Sequence, residues 1–265
     1  MPPLSVFYNT GCRPELHLTP KRSMNRHTYH TLYRALYSLL ALAVFACDTT
    51  ISSDEAQVGA AVQSLAQITP DQVFEIDTAN SSVTWIGAKV TGRHNGIFKI
   101  QEGEVTLHNG TASGGKTVFD MTGMRSDDKT IDEANNKKLT RHLRSPDFFD
   151  VEQHPTAIFE ITSVSPYEAN TDQEETPSVF ASKTRELRIK DPTHRITGNL
   201  TIKGITRSVS FPAKITLEDS VLKAKANFNI NRSDWNLTYG ADKSLGNQTI
   251  HPTVNIGLDI VALRQ

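Results

Sequence analysis

Along its C-terminal third the chain alternates between apolar and polar residues. Between Val221 and Arg232, Leu222, Ala224, Ala226, Phe228 and Ile230 share one parity, and Lys223, Lys225, Asn227, Asn229 and Asn231 share the other. TVNIGLDIV sets Val254, Ile256, Leu258 and Ile260 against Asn255, Gly257 and Asp259. SVSFPAKITL repeats the pattern with Val209, Phe211, Ala213, Ile215 and Leu217, and RITGNLTIK with Ile196, Leu200 and Ile202. A period of two places successive side chains on opposite faces of a strand, so each run predicts a strand with one dry and one wet face. One-sided burial of this kind belongs to antiparallel sheets. Lys203-Gly204 and Glu218-Asp219-Ser220 read as hairpin tips, and Thr78 to Ser81 as a turn within VFEIDTANSSVTWIGAKV. Pro212 has no amide hydrogen to give a ladder, which puts its strand at an edge or a bulge there.

One segment departs from this texture. IDEANNKKLTRHLRS, Ile131 to Ser145, is rich in helix formers, has Leu139 and Leu143 four apart, and ends at Ser145-Pro146. A set of alternating strands with one helix in a connection predicts a closed barrel or a sandwich. A barrel of about eight strands has an interior either filled by side chains or holding one small ligand, and alternation alone does not choose. The acidic stretch Ala169 to Ser178 reads as a solvated loop.

The N-terminal quarter is different again. ALYSLLALAVFA, Ala35 to Ala46, is an apolar run of about a dozen residues, short for a bilayer span. Arg26 and Arg34 precede it and Cys47 follows, a pattern that resembles a bacterial lipoprotein signal with Cys47 as the acylated residue. The expected division is residues 1–23 as an upstream extension, 24–46 as signal peptide, 47–71 as a lipidated tether, and 72–265 as the barrel. Within the tether, AQVGAAVQSLAQ is a candidate short helix whose apolar face is mostly alanine.

Charge then narrows the partners. The chain has 28 Lys+Arg against 29 Asp+Glu, a net charge of -1, with no basic stripe to neutralise phosphates, so nucleic acid is not an expected partner. Its two cysteines, Cys12 and Cys47, both precede the strand region, which therefore has neither a disulfide nor a thiolate metal site.

The densest polar stretch is HLRSPDFFDVEQHP, His142 to Pro155. Asp147, Asp150 and Glu152 are candidates for paired carboxylates, but acids so close in sequence fit a solvated loop better. His142 and His154 lie twelve apart, and His94, His108, His194 and His251 are scattered, so no short metal-ligand pair exists and no metal site is expected. GTASGGKT, Gly110 to Thr117, matches the phosphate-loop spacing literally. However, the following VFDMT reads as strand and not as the helix that such a loop must open, which favours a Gly-rich hairpin turn. The chemistry left over is apolar: Trp85, Phe98, Phe119, Phe148, Phe149, Phe159, Phe211, Phe228 and Trp235 punctuate the strands and loops. Each alone reads as core; together in a barrel they outline an elongated apolar tunnel.

Four segments in order, FEIDTANSSVTWIGAKV, HLRSPDFFDVEQHPTAIFEIT, ITGNLTIKGITRSVSFPAKI and FNINRSDWNL, resemble the YceI-like family from about Phe74 to Ala262. The HLRS-x-DFFD-x-x-x-HP and GNLTIKG-x-T-x-x-V segments together are specific to it. The resemblance implies an all-β fold, an eight-stranded antiparallel lipocalin-like barrel with one short helix in a connection near its mouth. It implies a hydrophobic tunnel for a polyisoprenoid, an isoprenoid quinone or a similar apolar lipid, no other cofactor, no catalytic residues and no enzymatic activity. Trp85, Phe98, Phe119, Phe148, Phe149, Phe159, Phe228, Ile230 and Leu258 would line the tunnel. Arg93, His142, Arg144 and Asp147 would stand at the mouth or meet a head group, with Arg144 pairing with Asp147 or Asp150. Localisation would be the bacterial envelope, as a periplasmic or outer-surface lipoprotein held to the membrane through Cys47, either as a monomer or as a homodimer. The rivals are an anchored interaction module with a filled core and a mouth hydrolase using His142, His154 and the nearby acids.

Overall fold

The computed structural model describes residues 51–63, 69–168 and 187–265. The signal segment, Cys47, residues 1–23 and the acidic stretch Ala169 to Ser178 lie outside the described residues. The chain divides after Cys47, and the compact unit Asp48–Gln265 contains everything that follows.

Its strands are β1 (Asp54–Glu55), β2 (Gln57–Ala60), β3 (Gln72–Ile76), β4 (Ser82–Lys89), β5 (Gly92–His108), β6 (Thr111–Ser126), β7 (Thr156–Pro166), β8 (His194–Ile202), β9 (Ile205–Glu218), β10 (Val221–Asn231) and β11 (Ile250–Arg264). From β4 to β11 each strand pairs antiparallel with the next, and β11 returns to β4, closing an eight-stranded antiparallel barrel. β3 extends the same wall between β11 and β5. The hairpin tips fall where turn chemistry places them: Lys203 and Gly204 both take positive φ, as do Asn109 and Gly110, while Asp77 Oδ1 accepts from the amides of Ala79 and Asn80.

The alternating parity becomes inside and outside. Leu222, Ala226, Phe228 and Ile230 are buried, while Lys223 and Lys225 are exposed. Two apolar clusters fill the two halves of the barrel, one around Phe211, Phe228 and Trp235, the other around Phe74, Leu107 and Leu222. Ile215, Ile256 and Leu258 pack against both and make the interior continuous.

The helix α1 (Glu133–Arg144) sits on the rim at the end where β6 leaves the barrel. Asp132 caps it by accepting from the Asn135 amide at 2.8 Å, and Arg141, His142 and Arg144 in its last turn complement the helix dipole. It buries no residue fully. Polar bonds fasten it instead: Asn136 Oδ1 accepts from Ser126 Oγ (2.6 Å) and the Asp128 amide (3.0 Å), and Arg144 donates from Nε and Nη2 to Met124 O at 2.9 and 2.6 Å.

Two sequence expectations change. Residues 54–60, read as part of a tether or a short helix, are extended and pair with β10 and β9. An alanine-rich helical face gains little from packing, whereas two open strand edges offer a full set of backbone bonds. In GTASGGKT the turn is Asn109-Gly110, and Thr111 onward is strand β6. Its glycines serve close approach, since a Cβ on Gly115 would stand 2.5 Å from Glu104 O.

Candidate functional site

The barrel encloses an apolar tunnel with a cavity volume of about 180 Å³, on the order of ten times the space one water needs. Its lining runs from Ile76 and Leu222 at one end to Phe149 and Trp235 at the helix end. Among the described residues, Thr117, Lys225 and Arg232 are the only lining residues with hydroxyl or charged side chains. The Lys225 ammonium pairs with the half-exposed Asp259 at 2.8 Å, so it faces outward. Along the wall, Phe211 and Phe228 stack at 4.0 Å with 13° between their planes, and Phe159 leans on Phe211 at 5.9 Å. Phe98 meets Phe149 edge-on at 5.9 Å.

The helix end is stoppered. A short 3-10 turn, Arg232–Trp235, follows β10 and carries Trp235, fully buried, whose Nε1 donates to Leu200 O at 3.0 Å. Leu237 lies beside it, also in the lining. Arg232 is 4% exposed and donates from Nε to His251 O (3.2 Å), from Nη2 to Ile250 O (3.1 Å) and from Nη1 to Leu237 O. Burial lowers its pKa from the ordinary guanidinium value, yet an arginine remains charged in a protein. Among the described residues, three carbonyls and no carboxylate satisfy it.

A second, polar pocket opens at the same end between the β4–β5 hairpin and the start of the helix connection, lined by Lys89, Arg93, His94, Thr130 and Ile131. Asp128, 2% exposed, holds two of these lining residues, His94 and Thr130. One carboxylate oxygen accepts from the amide and hydroxyl of Thr130 at 2.8 and 2.7 Å, and the other meets His94 Nδ1 at 2.7 Å. Burial pushes the Asp128 pKa up, but the bonds from Thr130 and His94 outweigh it and leave the carboxyl below its usual value. Among the described residues no three His, Cys, Asp or Glu side chains gather as a metal site.

The family model of the YceI-like domain matches residues 74–262. The chain belongs to the YceI-like family. Among solved structures, BcnA of Burkholderia cenocepacia superposes with a TM-score of 0.52 at 20% identity, covering 71% of this chain and 99% of that one, which shows the shared fold. A polyisoprenoid binding domain from Saccharophagus degradans gives a TM-score of 0.49 at 13% identity, covering 72% and 98%. A UPF0312 protein of Pseudomonas aeruginosa (strain LESB58) is 35% identical over 83 residues, 31% of each chain, so the match spans about a third of that relative's length.

Within this YceI-like barrel, Phe98, Phe119, Phe149, Phe159, Phe228, Ile230 and Leu258 line the cavity. Trp85 and Phe148 do not. Trp85 is 6% exposed and shares the inward face of β4 with Val83, opposite Ile256 and Gly96. A Cβ on Gly96 would stand 2.5 Å from its ring, so the ring fills the barrel interior beyond the cavity instead of lining it. Phe148 and Phe149 sit in a tight turn and diverge: Phe149 enters the tunnel, and Phe148 packs outside the stopper against His142 and Tyr239, each at 5.1 Å.

The four proposed mouth residues do not form one constellation. His142 Nε2 meets Asp147 Oδ2 at 3.3 Å, both partly exposed. Arg144 is spent on Met124 O and pairs with neither Asp147 nor Asp150, because the last helical turn aims it down at β6. Arg93 belongs to the separate polar pocket. Sequence reasoning did not place Arg232 or Leu237 in the site. The signal for Arg232 was present, since continuing the inward parity of β10 past Ile230 lands on residue 232.

Proposed function

We propose that this chain binds one long apolar lipid chain, of the polyisoprenoid or isoprenoid-quinone kind, inside the barrel. The observation that carries the reading is the tunnel's predominantly apolar lining, from Ile76 and Leu222 to Phe149 and Trp235. A hydrocarbon chain that leaves water for such a lumen gains about 25 cal/mol per Å² of apolar surface buried. Ordering a flexible chain offsets part of that gain. A methyl-branched chain stiffened by double bonds has fewer rotamers to lose than a saturated one, which favours an isoprenoid over a fatty chain of equal length. The role is carriage or sequestration, without covalent chemistry.

The second part of the proposal is location: a bacterial envelope lipoprotein with Cys47 as the acylated residue. The apolar run Ala35 to Ala46 directly before Cys47 supports it. Native mass spectrometry of the chain purified from bacterial membranes is expected to show an adduct that hexane extracts. Absence of any adduct, together with no uptake of a fluorescent prenyl probe, would sink the carrier reading. Radiolabelled palmitate is expected to mark the wild-type chain and not Cys47→Ala, and equal labelling of both would remove the anchor alone.

A further inference from the structure

The barrel wall has an incomplete joint between β9 and β10. β9 and β10 pair from Glu218/Val221 only as far as Ala213/Ala226, although both strands continue toward the helix end. Pro212 explains the break. Ala213 O accepts from the Thr193 amide on the β8 side, so by the alternation of an antiparallel ladder the next residue, Pro212, turns its backbone toward β10. Its opposite number there is Asn227, and Pro212 has no N–H to offer it. Beyond this point the strands separate until Arg207 Nε reaches Asp234 O at 3.1 Å. From Ala213 to Arg207 the opening is about 20 Å long at ~3.3 Å per residue.

The segment Ile51–Ala60 lies in that seam. Ser53 Oγ donates to Asn227 O at 3.2 Å, the carbonyl that Pro212 leaves without a donor. β1 runs parallel to β10 at Phe228 and Asn229, Ala56 donates to Asn229 O at 2.9 Å, and β2 then crosses to β9, with Gln57 opposite Ser210 and Val58 opposite Val209. Outward-facing polar residues receive it: Asn229 Nδ2 donates to Ile51 O and Glu55 Oε1, both at 2.9 Å, and Ser53 Oγ meets Asn227 Oδ1 at 2.7 Å. Asn229 and Asn255, on the wet parity of their strands, are consequently each only 2% exposed. Ala56 and Val58 pack on the cluster that contains Phe211 and Phe228, whose stacked rings stand just inside the seam.

We infer that this segment is a strap that gates a side portal, and that the apolar chain enters and leaves the tunnel through the β9–β10 seam when the strap lifts. The inference rests on the tunnel being the binding site. Three features fit a gate better than a wall. Of the strap's own residues only Ile51 is fully buried, and Ser52, Glu55, Gln57, Gly59 and Ala60 are exposed, so the strap itself contributes little apolar surface to the core. Elements so lightly packed open at the low end of a protein's local stability range. The helix end of the tunnel axis is closed to the ligand, since Trp235, Leu237 and Phe149 stopper it. Finally, the family match begins at residue 74, so the strap lies outside the stretch that the family model matches. Cys47 lies four residues before Ile51, so an acyl anchor there would tether Ile51 within about 14 Å of a bilayer surface at ~3.5 Å per residue.

Val58 and Val209 offer a lock. Ala56 points its amide to β10, so Gln57 points to β9 and Val58 stands in a non-hydrogen-bonded pair with Val209, the closer geometry that a disulfide needs. In the full chain carrying Cys12→Ser and Cys47→Ser, Val58→Cys with Val209→Cys is oxidised, and uptake of a fluorescent prenyl probe from phosphatidylcholine vesicles is followed by energy transfer from tryptophan. Uptake by the oxidised form is expected to be at least tenfold slower than by the same protein reduced. Gln57→Pro, which removes a strap amide without touching the tunnel, is expected to speed uptake and release at least threefold. Equal rates in oxidised and reduced protein, or an unchanged rate in Gln57→Pro, overturn the gate while leaving the carrier reading intact. No uptake at equilibrium by the reduced protein overturns both.

Discussion

Ala224→Phe is expected to lower affinity for a long prenyl probe by more than a hundredfold while leaving the barrel folded. Ala224 lies midway along β10, on the inward parity between Leu222 and Ala226, and lines the tunnel. A benzyl group there projects into space that the chain would occupy, so it blocks the lumen without replacing any bond in the wall. Displacing about four buried methylene groups forfeits about 3 kcal/mol at ~0.8 kcal/mol each, which is more than two decades in Kd. Overpacking costs the fold about 1 to 3 kcal/mol where a core is already full, and the cost falls toward the low end where a cavity receives the ring. A short probe that fills only half the tunnel should lose much less, and that contrast is the useful measurement. Equal losses for short and long probes would mean that the ligand does not thread past Ala224, and a full-strength long-probe complex would place the binding site elsewhere.

The parts of this architecture that the sequence revealed are those where burial acts on one residue at a time. In β8 to β11 the inward parity is apolar almost without interruption, so each strand declares its face. The helix was legible for a similar reason: Asp132 and Ser145-Pro146 mark its ends through local chemistry. β5 and β6 were harder to read because register shifts near Lys99, Glu102 and Leu107 reset the parity.

What stayed hidden depends on pairs of distant residues. Nothing in DEAQVGA is apolar enough to announce a strand. Its partners are the missing amide of Pro212 and the outward asparagines 227, 229 and 255, which a single pass along the chain reads as solvated. Adjacent Phe148 and Phe149 are equivalent in sequence, and only the turn that His142 to His154 makes, with Asp150 at positive φ, sends one inward and the other out. Arg144 looked like a head-group ligand because its last-turn position is basic and close to acids. The helix tilt gives it to a backbone carbonyl instead.

Trp235→Ala is expected to destabilise the protein by about 3 to 5 kcal/mol, the usual range for deleting a large buried aromatic side chain. Trp235 is fully buried, packs within the helix-end cluster and donates its indole N–H to Leu200 O. Its loss therefore opens a cavity and strands a carbonyl together. The loop that follows is tied back chiefly by Arg232, through Leu237 O, Ile250 O and His251 O, and that anchor survives the substitution. So the loop should remain closed over a larger void, and the barrel should unfold at a lower temperature, by about 10 °C for a domain of this size. The void adjoins the tunnel, since Trp235 lines it. Trp235→Ala should thus bind a longer prenyl chain at least as well as the wild type does, at a temperature well below its unfolding midpoint. A loss under about 1 kcal/mol would mean that neighbouring side chains collapse into the space, and binding of longer chains would then not improve. A loss of all binding with an intact fold would instead assign the indole to the ligand contact itself and not to the stopper.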